Sequence, residues 1–484
     1  MTSVPDRLLT ALIDGLHHSG LCRSVLLLPG FERLRWAIGR AGVRARFAQA
    51  RRRVPAYATV VNERADAGIP MTDKRSYVQR FAIGQRCMDG VIPAHGVLFD
   101  ESSGSSGRPT SWVRGTAERR ANARTIRMGL SRRLVGSRPL LFINAFALGP
   151  WATGINLTMA LSTMGHLKAL GPDIDKIAHT IREFGETHHL VVMGYPPFLR
   201  QLLDRAGVNW HAFQVSFIYG GEGMSESMRA LFQQRGVARV YGSYGASDLE
   251  LNIAAETDYT IALRRLLQAR PEIARDLVKQ QGALPMLFQY NPAEFFLETT
   301  PDGQLLVTIC RPGYLAPKIR YNIQDLGHVV RHAEIARVLT AHGVDITQLA
   351  PEVLDLPVLF LYGRADQSVS WYGCKIPPTD VQDAICRTPQ LASRVDGFQL
   401  GTTEDATGDK RLVIAVEETS APHDAWSAAD DEVLLQALAT VNQDFRESLR
   451  LAPADRTPEV HAYAAGAGPF ANRDVRIKRQ YVAS

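Results

Sequence analysis

The sequence predicts an α/β fold, with a large N-terminal α/β domain followed by a small α+β domain. Helical segments alternate with short apolar runs along most of the chain, as in open sheets whose buried strands are covered by helices. The 484 residues are too many for one ordinary core. The composition changes after Tyr362, where the sequence GRAD (363–366) separates the α/β body from the remainder. We therefore predict a large domain over residues 1–362, a hinge over 363–367 and a small domain over 368–484.

The individual elements follow from local patterns. Apolar residues at helical spacing predict helices in the large domain at 5–17, 33–52, 117–134 and 174–184. Apolar runs bounded by turn residues predict strands at 140–142, 190–193, 215–219, 237–241, 303–309 and 358–362. In the small domain the same criteria predict a strand over 411–417 and a helix over 431–441.

Composition excludes several classes of protein. An apolar content of 45% with 21% charged residues is typical of a soluble globular protein. The longest apolar stretch, 140–161, is broken by Gly149-Pro150 and two asparagines, and residues 2–16 carry three charges, so neither a membrane span nor a signal peptide is predicted. The five cysteines are scattered without a CxxC pair, which argues against a disulfide framework or a zinc site. These features predict a cytoplasmic, enzyme-like protein.

Arginines crowd the N-terminal region between Arg33 and Arg53, although the net charge is only +6. Such a segment can face nucleic acid or an anionic membrane surface, but it can equally be the solvated face of a helix. We favour the solvated face, and we expect neither a nucleic-acid partner nor a membrane partner.

The most distinctive segment is 99–111, with the sequence FDESSGSSGRPTS. Every residue from Ser102 to Gly107 is serine or glycine, so the segment offers hydroxyl groups and closely approachable backbone N–H groups. That is the chemistry of a polyphosphate cradle, although a flexible linker has the same composition. The glycine spacing, and Arg108-Pro109 in place of a Lys-Ser/Thr pair, exclude a Walker P-loop.

Four further segments have the character of ligand-binding turns. Each has a strand end followed by a small or acidic turn, which is where open α/β sheets place ligands. They are IYGGEGMSE (218–226), VYGSYGASD (240–248), IRYNIQDLG (319–327) and LYGRADQS (361–368). Any one of them can be an ordinary turn, but five such segments in this order favour the phosphate cradle over the linker.

Together these segments resemble the adenylate-forming superfamily, most closely the phenylacetate-CoA-ligase-like branch of acyl-CoA synthetases. SSGSSGRPT is similar to that branch's phosphate loop SSGTTGxPT, YGGEGMSE to its GGExxSE turn and SYGASD to its YGxTE-type turn. IRYNIQDLG is similar to its RYxxxDLG segment, and GRADQS to its GRxDD hinge. Upstream, VPAY (54–57) and IPMTDK (69–74) look like its VPxY and PxTxK segments. The resemblance covers nearly the whole chain and implies that the small domain is mobile about the hinge.

The resemblance implies a nucleotide site, residue by residue. The β- and γ-phosphates of ATP would be wrapped by Ser102, Ser103, Gly104, Ser105, Ser106, Gly107 and Thr110. Tyr244 would stack on adenine, and the ring and the carboxylate substrate would be framed by Gly220, Gly221, Glu222, Ser243 and Gly245. Asp325 would hold the ribose hydroxyls, since a carboxylate accepts from two O–H donors. Arg364 would assist at the ribose, and Asp366 would be the pivot of the small domain.

Two positions depart from the family pattern. Asp248 replaces the glutamate that contacts magnesium in relatives, with Glu250 two residues further on. The near-terminal catalytic lysine is expected in a GK-containing segment, but here the segment reads GPFANRDVRIKRQYV. Simple alignment points to Arg473, whereas Lys478 is the only lysine after Lys410; we predict Lys478, together with Asp248 and Arg364, as the catalytic set.

The implied activity is ATP-dependent activation of a small-molecule carboxylic acid, with Mg²⁺, followed by thioester formation with coenzyme A. Aromatic residues fall in segments that line the acyl pocket in relatives, and they favour an aryl or arylacetic acid: Phe146, Trp151, Tyr195 and Tyr219. The acceptor alternatives are the phosphopantetheine of an acyl carrier protein, or an amine. A regulatory nucleotide-binding protein without adenylating activity also stays open, as does a homodimeric state.

Overall fold

The computed structural model describes residues 4–63, 68–102, 110–134, 136–279, 284–364, 369–371, 374–404, 410–420, 424–451, 457–471 and 481–482. Its helices are α1 Val4–His18, α2 Gly20–Val25, α3 Glu32–Arg53, α4 Pro55–Asn62, α5 Thr116–Arg133, α6 Ala152–Leu161, α7 Ile174–Phe184, α8 Pro196–Arg205, α9 Glu226–Gln234, α10 Asp258–Ala269, α11 Pro271–Leu277, α12 His332–Ala341, α13 Pro378–Arg387, α14 Pro389–Arg394, α15 Ala428–Val441 and α16 Gln443–Leu451. Its strands are β1 Thr72–Asp73, β2 Leu98–Ser102, β3 Thr110–Arg114, β4 Leu140–Asn144, β5 His166–Ala169, β6 His189–Gly194, β7 Val215–Gly220, β8 Arg239–Tyr244, β9 Ala254–Ala255, β10 Met286–Gln289, β11 Phe295–Thr299, β12 Gln304–Ile309, β13 Tyr321–Val330, β14 Val358–Arg364, β15 Val369–Trp371, β16 Cys374–Ile376, β17 Val395–Glu404, β18 Lys410–Glu418 and β19 Glu459–Tyr463. The predicted α/β class is confirmed.

One mixed sheet organises the large domain. Strands β5, β4, β6, β7 and β8 lie side by side and run parallel. The sheet continues through β9, β10, β14, β13, β12 and β11 in antiparallel pairs, and β1 adds to β13. Helices α7, α8 and α9 connect successive parallel strands, so the carboxyl ends of those strands meet at one edge of the sheet.

The helices that cross over this sheet begin at side chains that cap them. The Asp173 carboxylate accepts a hydrogen bond from the Lys176 backbone N–H at 3.0 Å and starts α7 at the predicted residue. The Ser225 hydroxyl accepts from the Met228 backbone N–H at 3.2 Å and starts α9. A capping side chain satisfies an N–H group that has no partner within the helix. The apolar face of α7, with Ile177 and Ile181 fully buried, then packs on the sheet.

The C-terminal region has its own apolar core. Its buried members lie between Val369 and Phe445 and come from the β15–β16 hairpin, strands β17 and β18, and helices α13 to α16, while Val460 and Ala462 of β19 pack against them. Helix α13 packs against α9 of the large domain, where the Ser225 backbone N–H donates to Gln382 at 3.0 Å. Strand β14 runs two residues past the predicted boundary at Tyr362, and the predicted pivot Asp366 lies outside the described residues.

Within the part of the chain that the structure describes, no helix combines the length and the apolar character that crossing a membrane requires.

Asp380 in α13 makes the stability of this region pH-dependent. Its side chain is buried and accepts a hydrogen bond from the Asn442 amide at 2.8 Å. Burial raises the pKa of Asp380 to about 8, and Asp383 adds to the rise while the Asn442 bond opposes it. In the unfolded chain the pKa of an aspartate is about 3.9. The contribution of Asp380 to the free energy of unfolding is therefore greatest below that pH and is lost as the pH rises to about 8.

We expect Asp380→Asn to flatten the pH dependence of unfolding between about pH 4 and pH 8, because the group that takes up the proton is gone. Urea unfolding at a series of pH values measures the effect. Glu432→Gln, at an exposed position of α15, is the control and should leave the profile unchanged. An Asp380→Asn profile that is parallel to the wild-type profile would contradict the assignment.

Candidate active site

Several predicted site residues follow the carboxyl ends of the parallel strands. Phe146 follows β4, Tyr195 follows β6, Glu222 follows β7 and Asp248 follows β8. The strand pairing continues to these ends, with Asn144 opposite Met193 and Gly220 opposite Ser243. Because the strands are adjacent and parallel, the residues that follow them gather at one edge of the sheet.

Tyr244, Asp325 and Arg364 meet beside this edge, although they come from separate sequence segments. The Tyr244 hydroxyl donates to Asp325 Oδ2 at 2.8 Å. Asp325 lies opposite Arg364 in the β13–β14 pair, next to a register shift that follows Leu326. Burial raises the pKa of Tyr244 well above its usual value, and the neighbouring Asp325 adds to the rise. The phenol therefore stays protonated and acts as a donor toward the carboxylate.

Two glycines of the predicted nucleotide frame are required by geometry. A Cβ atom added at Gly245 would lie 2.1 Å from the Leu251 carbonyl oxygen, which no side chain can tolerate. Gly221 has a φ of +83°, in the left-handed region that favours glycine. Gly245 is thus packed directly against the backbone of Glu250 and Leu251, and Gly221 makes a left-handed turn after β7.

The β2–β3 hairpin carries the predicted phosphate loop. Ser102 pairs with Thr110, so these two residues close the hairpin at the base of the loop. The other predicted phosphate-loop residues lie outside the described residues: Ser103, Gly104, Ser105, Ser106 and Gly107. The Ser102 hydroxyl is buried and has no hydrogen-bond partner among the described residues. A buried hydroxyl without a hydrogen-bond partner is energetically costly unless a bound ligand supplies that partner.

Arg114 ties the hairpin to the turn that carries Asp248. The Arg114 guanidinium donates to Asp100 at 3.0 Å, to the Leu249 carbonyl oxygen at 2.5 Å and to the Ser247 carbonyl oxygen. It therefore binds the carbonyl groups on both sides of Asp248 while it pairs with the hairpin. Because Arg114 is buried, these bonds hold the phosphate-loop hairpin and the Asp248 turn together.

The two carboxylates near the predicted magnesium position have different surroundings. Glu250 is buried and is bound by Arg311 and Tyr314. Asp248 is half-buried, and its Oδ2 accepts from the Tyr321 hydroxyl at 2.9 Å. Arg311 and Tyr314 both bind Glu250 Oε2, and Glu250 Oε1 is buried without a partner among the described residues, so the half-buried Asp248 is the more accessible carboxylate for a metal.

Among the described residues, no three His, Cys, Asp or Glu side chains group together as a protein metal site needs. A magnesium ion at Asp248 would therefore take its remaining ligands from phosphate and water, as Mg²⁺ commonly does. The residues present fit that arrangement.

The predicted acyl-pocket residues fall on two faces of the sheet. Phe146 and Tyr195 contact each other edge to face, with ring centroids 4.9 Å apart, and Trp151 forms an isolated bridge with Glu101 of the hairpin. Ile218 shares the Phe146 face. Tyr219, the next residue, points to the opposite face, where Arg229 donates to its hydroxyl at 3.3 Å. Side chains alternate along a strand, so Tyr219 does not line a pocket with Phe146 and Tyr195.

Solved structures of CoA ligases share this architecture. The chain superposes on 2-hydroxyisobutyryl-CoA ligase, in its postadenylation state with R3-HIB-AMP, with a TM-score of 0.65, over 94% of this chain and 90% of that chain, at 13% identity. With the 2-HIB-AMP complex of the same ligase the TM-score is 0.60, over 99% and 89%, at 14% identity. The chain has the fold of adenylate-forming CoA ligases. The anthranilate CoA ligase AuaEII with anthranoyl-AMP matches with a TM-score of 0.50, over 79% of this chain and 65% of that chain, at 12% identity.

No family model and no curated protein matches the sequence. The fold of adenylate-forming CoA ligases is thus established by structure, and the phenylacetate-CoA-ligase-like branch stays a prediction.

In this fold the C-terminal segment reaches the candidate site through a residue that sequence reasoning missed. The Tyr481 hydroxyl donates to Glu222 Oε2 at 2.9 Å, and its ring lies 5.0 Å from that of Phe398. The predicted catalytic residue Lys478 and the alternative Arg473 lie outside the described residues. Nothing in the sequence around Tyr481 signals this contact, because its partner lies 259 residues away.

Proposed function

We propose that this protein activates a carboxylic acid by adenylation with ATP and then transfers the acyl group to coenzyme A. The observation that carries the proposal is the convergence of Tyr244, Asp325, Asp248 and the phosphate-loop hairpin at the carboxyl edge of the parallel strands. The 2-hydroxyisobutyryl-CoA ligase that shares the fold was crystallised with an acyl-adenylate, which supports the same first step here.

The described residues fit a nucleotide in this position. Asp325 is suited to accept hydrogen bonds from the two ribose hydroxyls, beside Arg364, and the Tyr244 ring would lie against the adenine. The Ser102 hydroxyl, which has no partner among the described residues, is placed to donate to a phosphate at the base of the loop.

The first half-reaction joins two anions, so it depends on positioning and on neutralising charge. A carboxylate oxygen of the acid attacks the α-phosphorus of ATP, the bond from that phosphorus to the bridging oxygen of the β-phosphate breaks, and pyrophosphate leaves. Magnesium supplies Lewis-acid stabilisation of the phosphate charge. Asp248 would hold it, the hairpin would hold the phosphates, and Lys478 would supply a further cation near the reacting groups.

In the second half-reaction the coenzyme A thiolate attacks the acyl carbon, the bond from that carbon to the AMP oxygen breaks, and the thiol proton goes to solvent. Rotation of the small domain about Asp366 would withdraw Lys478 and admit the thiol. The Tyr481–Glu222 hydrogen bond would have to break in such a rotation.

The acid that the site favours is aryl or arylacetic. Phe146 and Tyr195 provide an aromatic wall at the ends of neighbouring strands, with Trp151 nearby at the start of α6. Aromatic rings stack favourably with an aromatic substrate. An amine, or the phosphopantetheine of an acyl carrier protein, is the alternative acceptor and shares the first half-reaction.

Pyrophosphate release over a panel of carboxylic acids, with and without coenzyme A, tests the proposal. We expect acid-dependent release with an aromatic acid, a thioester product with coenzyme A, and a large loss of adenylation in Lys478→Ala. Arg473→Ala is the matched control and should retain activity. Absence of ATP–pyrophosphate exchange with every acid, together with a Lys478→Ala variant that behaves as wild type, would refute the proposal. Thioester or amide formation with the other acceptors separates the alternatives.

A further inference from the structure

Two buried cations lie beside the candidate site, and among the described residues no carboxylate pairs with either of them. Arg86, in the loop before β2, and Lys318, shortly before β13, expose only 7% and 5% of their surfaces. In the part of the chain that the structure describes, Arg86 Nε has no partner and the Lys318 ammonium forms no salt bridge; Asp248 and Glu118 act on it only from a distance. Buried charges are normally paired, so cations without an acceptor indicate a ligand.

Both cations lie against the indole ring of Trp112. The Lys318 ammonium is 4.0 Å from the centroid of that ring and 5.1 Å from the centroid of Tyr321. The Arg86 guanidinium carbon is 5.7 Å from the Trp112 centroid. The rings stabilise the charges through cation–π attraction, but they satisfy few of the N–H donors. Several donors on each side chain therefore stay available to an anion.

The position of Trp112 relates the two cations to the phosphate loop. Trp112 and Thr110 lie two residues apart on β3, so their side chains share one face of the hairpin, about 7 Å apart along the strand. Tyr321, the second ring beneath Lys318, donates its hydroxyl to Asp248 at 2.9 Å. The cations thus lie against the hairpin that bears the phosphate loop, and a ring beneath Lys318 contacts the carboxylate predicted to hold magnesium.

The other charges in this region already have partners. Arg114 pairs with Asp100 at 3.0 Å and with Glu118 at 3.2 Å. Burial lowers the pKa of Lys318 to about 7, as expected for an amine enclosed without an acceptor, and an anion bound beside it would restore its charge.

We propose that Lys318 and Arg86 bind the β- and γ-phosphates of ATP and then hold the pyrophosphate as it leaves. The inference rests on the proposed adenylation reaction. When the bond to the α-phosphorus breaks, negative charge builds up on the β-phosphate oxygen, and a fixed ammonium or guanidinium beside that oxygen stabilises it. Arginine adds a pair of parallel donors that match two phosphate oxygens.

A second carboxylate on the acid substrate is the other anion that such a site would take. We favour phosphate because both cations contact the hairpin that bears the phosphate loop, whereas Phe146 and Tyr195 of the acyl pocket follow β4 and β6. The experiment below distinguishes binding of phosphate from binding of a second carboxylate.

Isothermal titration calorimetry of the full chain with ATP, with pyrophosphate and with AMP, all in the presence of Mg²⁺, tests the proposal. We expect Lys318→Met and Arg86→Met each to weaken the binding of ATP and pyrophosphate by about tenfold or more, with the affinity for AMP unchanged. Lys168→Met is the matched control, because Lys168 also lies over a ring, Phe184 at 4.7 Å, but on β5 away from the hairpin.

Lys318→Met should also unfold at a temperature no lower than that of the wild type, because it removes a buried charge that lacks an acceptor. If Lys318→Met does not fold, Arg86→Met provides the same comparison. Wild-type affinity for ATP and pyrophosphate in the folded variants would overturn the inference and leave a second carboxylate of the acid as the anion. A wild-type protein that binds pyrophosphate but releases none with any acid would refute the proposed function, and with it the leaving-group role, and would leave only the phosphate-binding role of Lys318 and Arg86 standing.

Discussion

Arg229→Met is expected to lower the free energy of unfolding by about 3–5 kcal/mol, the usual cost of removing one partner from a buried ion pair. Arg229 is almost fully buried and donates to Glu256 at 2.6 Å, to Glu226 at 3.1 Å and to the Val240 carbonyl oxygen. Without it, Glu256 is left buried with its charge uncompensated. The loss would loosen α9 from β8 and thereby disturb the turn that carries Glu222.

Urea unfolding followed by tryptophan fluorescence measures this loss. Arg235→Met is the matched control at the end of the same helix, since Arg235 is exposed and pairs with Asp204 at 3.2 Å; it should cost at most about 1 kcal/mol. Adding Glu256→Gln to Arg229→Met should recover part of the stability, because the two groups are coupled. If Arg229→Met is no less stable than Arg235→Met, the network does not stabilise the fold as argued.

Asp325→Ala is expected to weaken the binding of ATP and of AMP by about a hundredfold, because two charge-assisted hydrogen bonds to the ribose are lost. Both nucleotides should be affected equally, since they share the ribose. This separates Asp325 from Lys318, whose removal should spare AMP. Calorimetry with both nucleotides measures the effect.

Asp302→Ala, in the exposed turn between β11 and β12, is the control for Asp325→Ala and should bind both nucleotides normally. Tyr244→Phe removes the hydroxyl that donates to Asp325 and should weaken binding by a smaller factor, about tenfold. Unchanged affinity in a correctly folded Asp325→Ala would remove the ribose role from Asp325 and weaken the proposed function with it.

Local patterns predict several of the elements close to their observed bounds, and they miss many of the shorter ones. The amphipathic spacing predicts the helix Ile174–Phe184, and the Asp173 cap marks the residue at which it begins. The strand predicted over 237–241 is found over Arg239–Tyr244, because pairing of Ser243 with Gly220 carries β8 further into the predicted turn. Strand ends are set by such partners, which a single segment does not reveal.

The site required information from distant residues. From the sequence, Asp248 and Glu250 are two nearby carboxylates that could both hold magnesium. Only the contacts of Glu250 with Arg311 and Tyr314 show that their surroundings differ. The resemblance predicts Tyr219 in the acyl pocket because its segment lines that pocket in relatives, but the alternation of β7 turns its side chain toward Arg229. Lys318 was missed, although a single lysine within the otherwise uncharged stretch YLAPKI is a local signal that could have drawn attention to it.

The bonds of Arg114 to the carbonyl groups on either side of Asp248 have a consequence for protein engineering. A phosphate loop exchanged between two proteins of this fold will carry its serines, but it will not carry the distance from those serines to Asp248, the proposed metal ligand. That distance depends on a guanidinium at the far end of β3, four residues beyond Thr110, and on its anchors Asp100 and Glu118. A successful graft must therefore transfer the whole hairpin, together with the first turn of α5, as one unit.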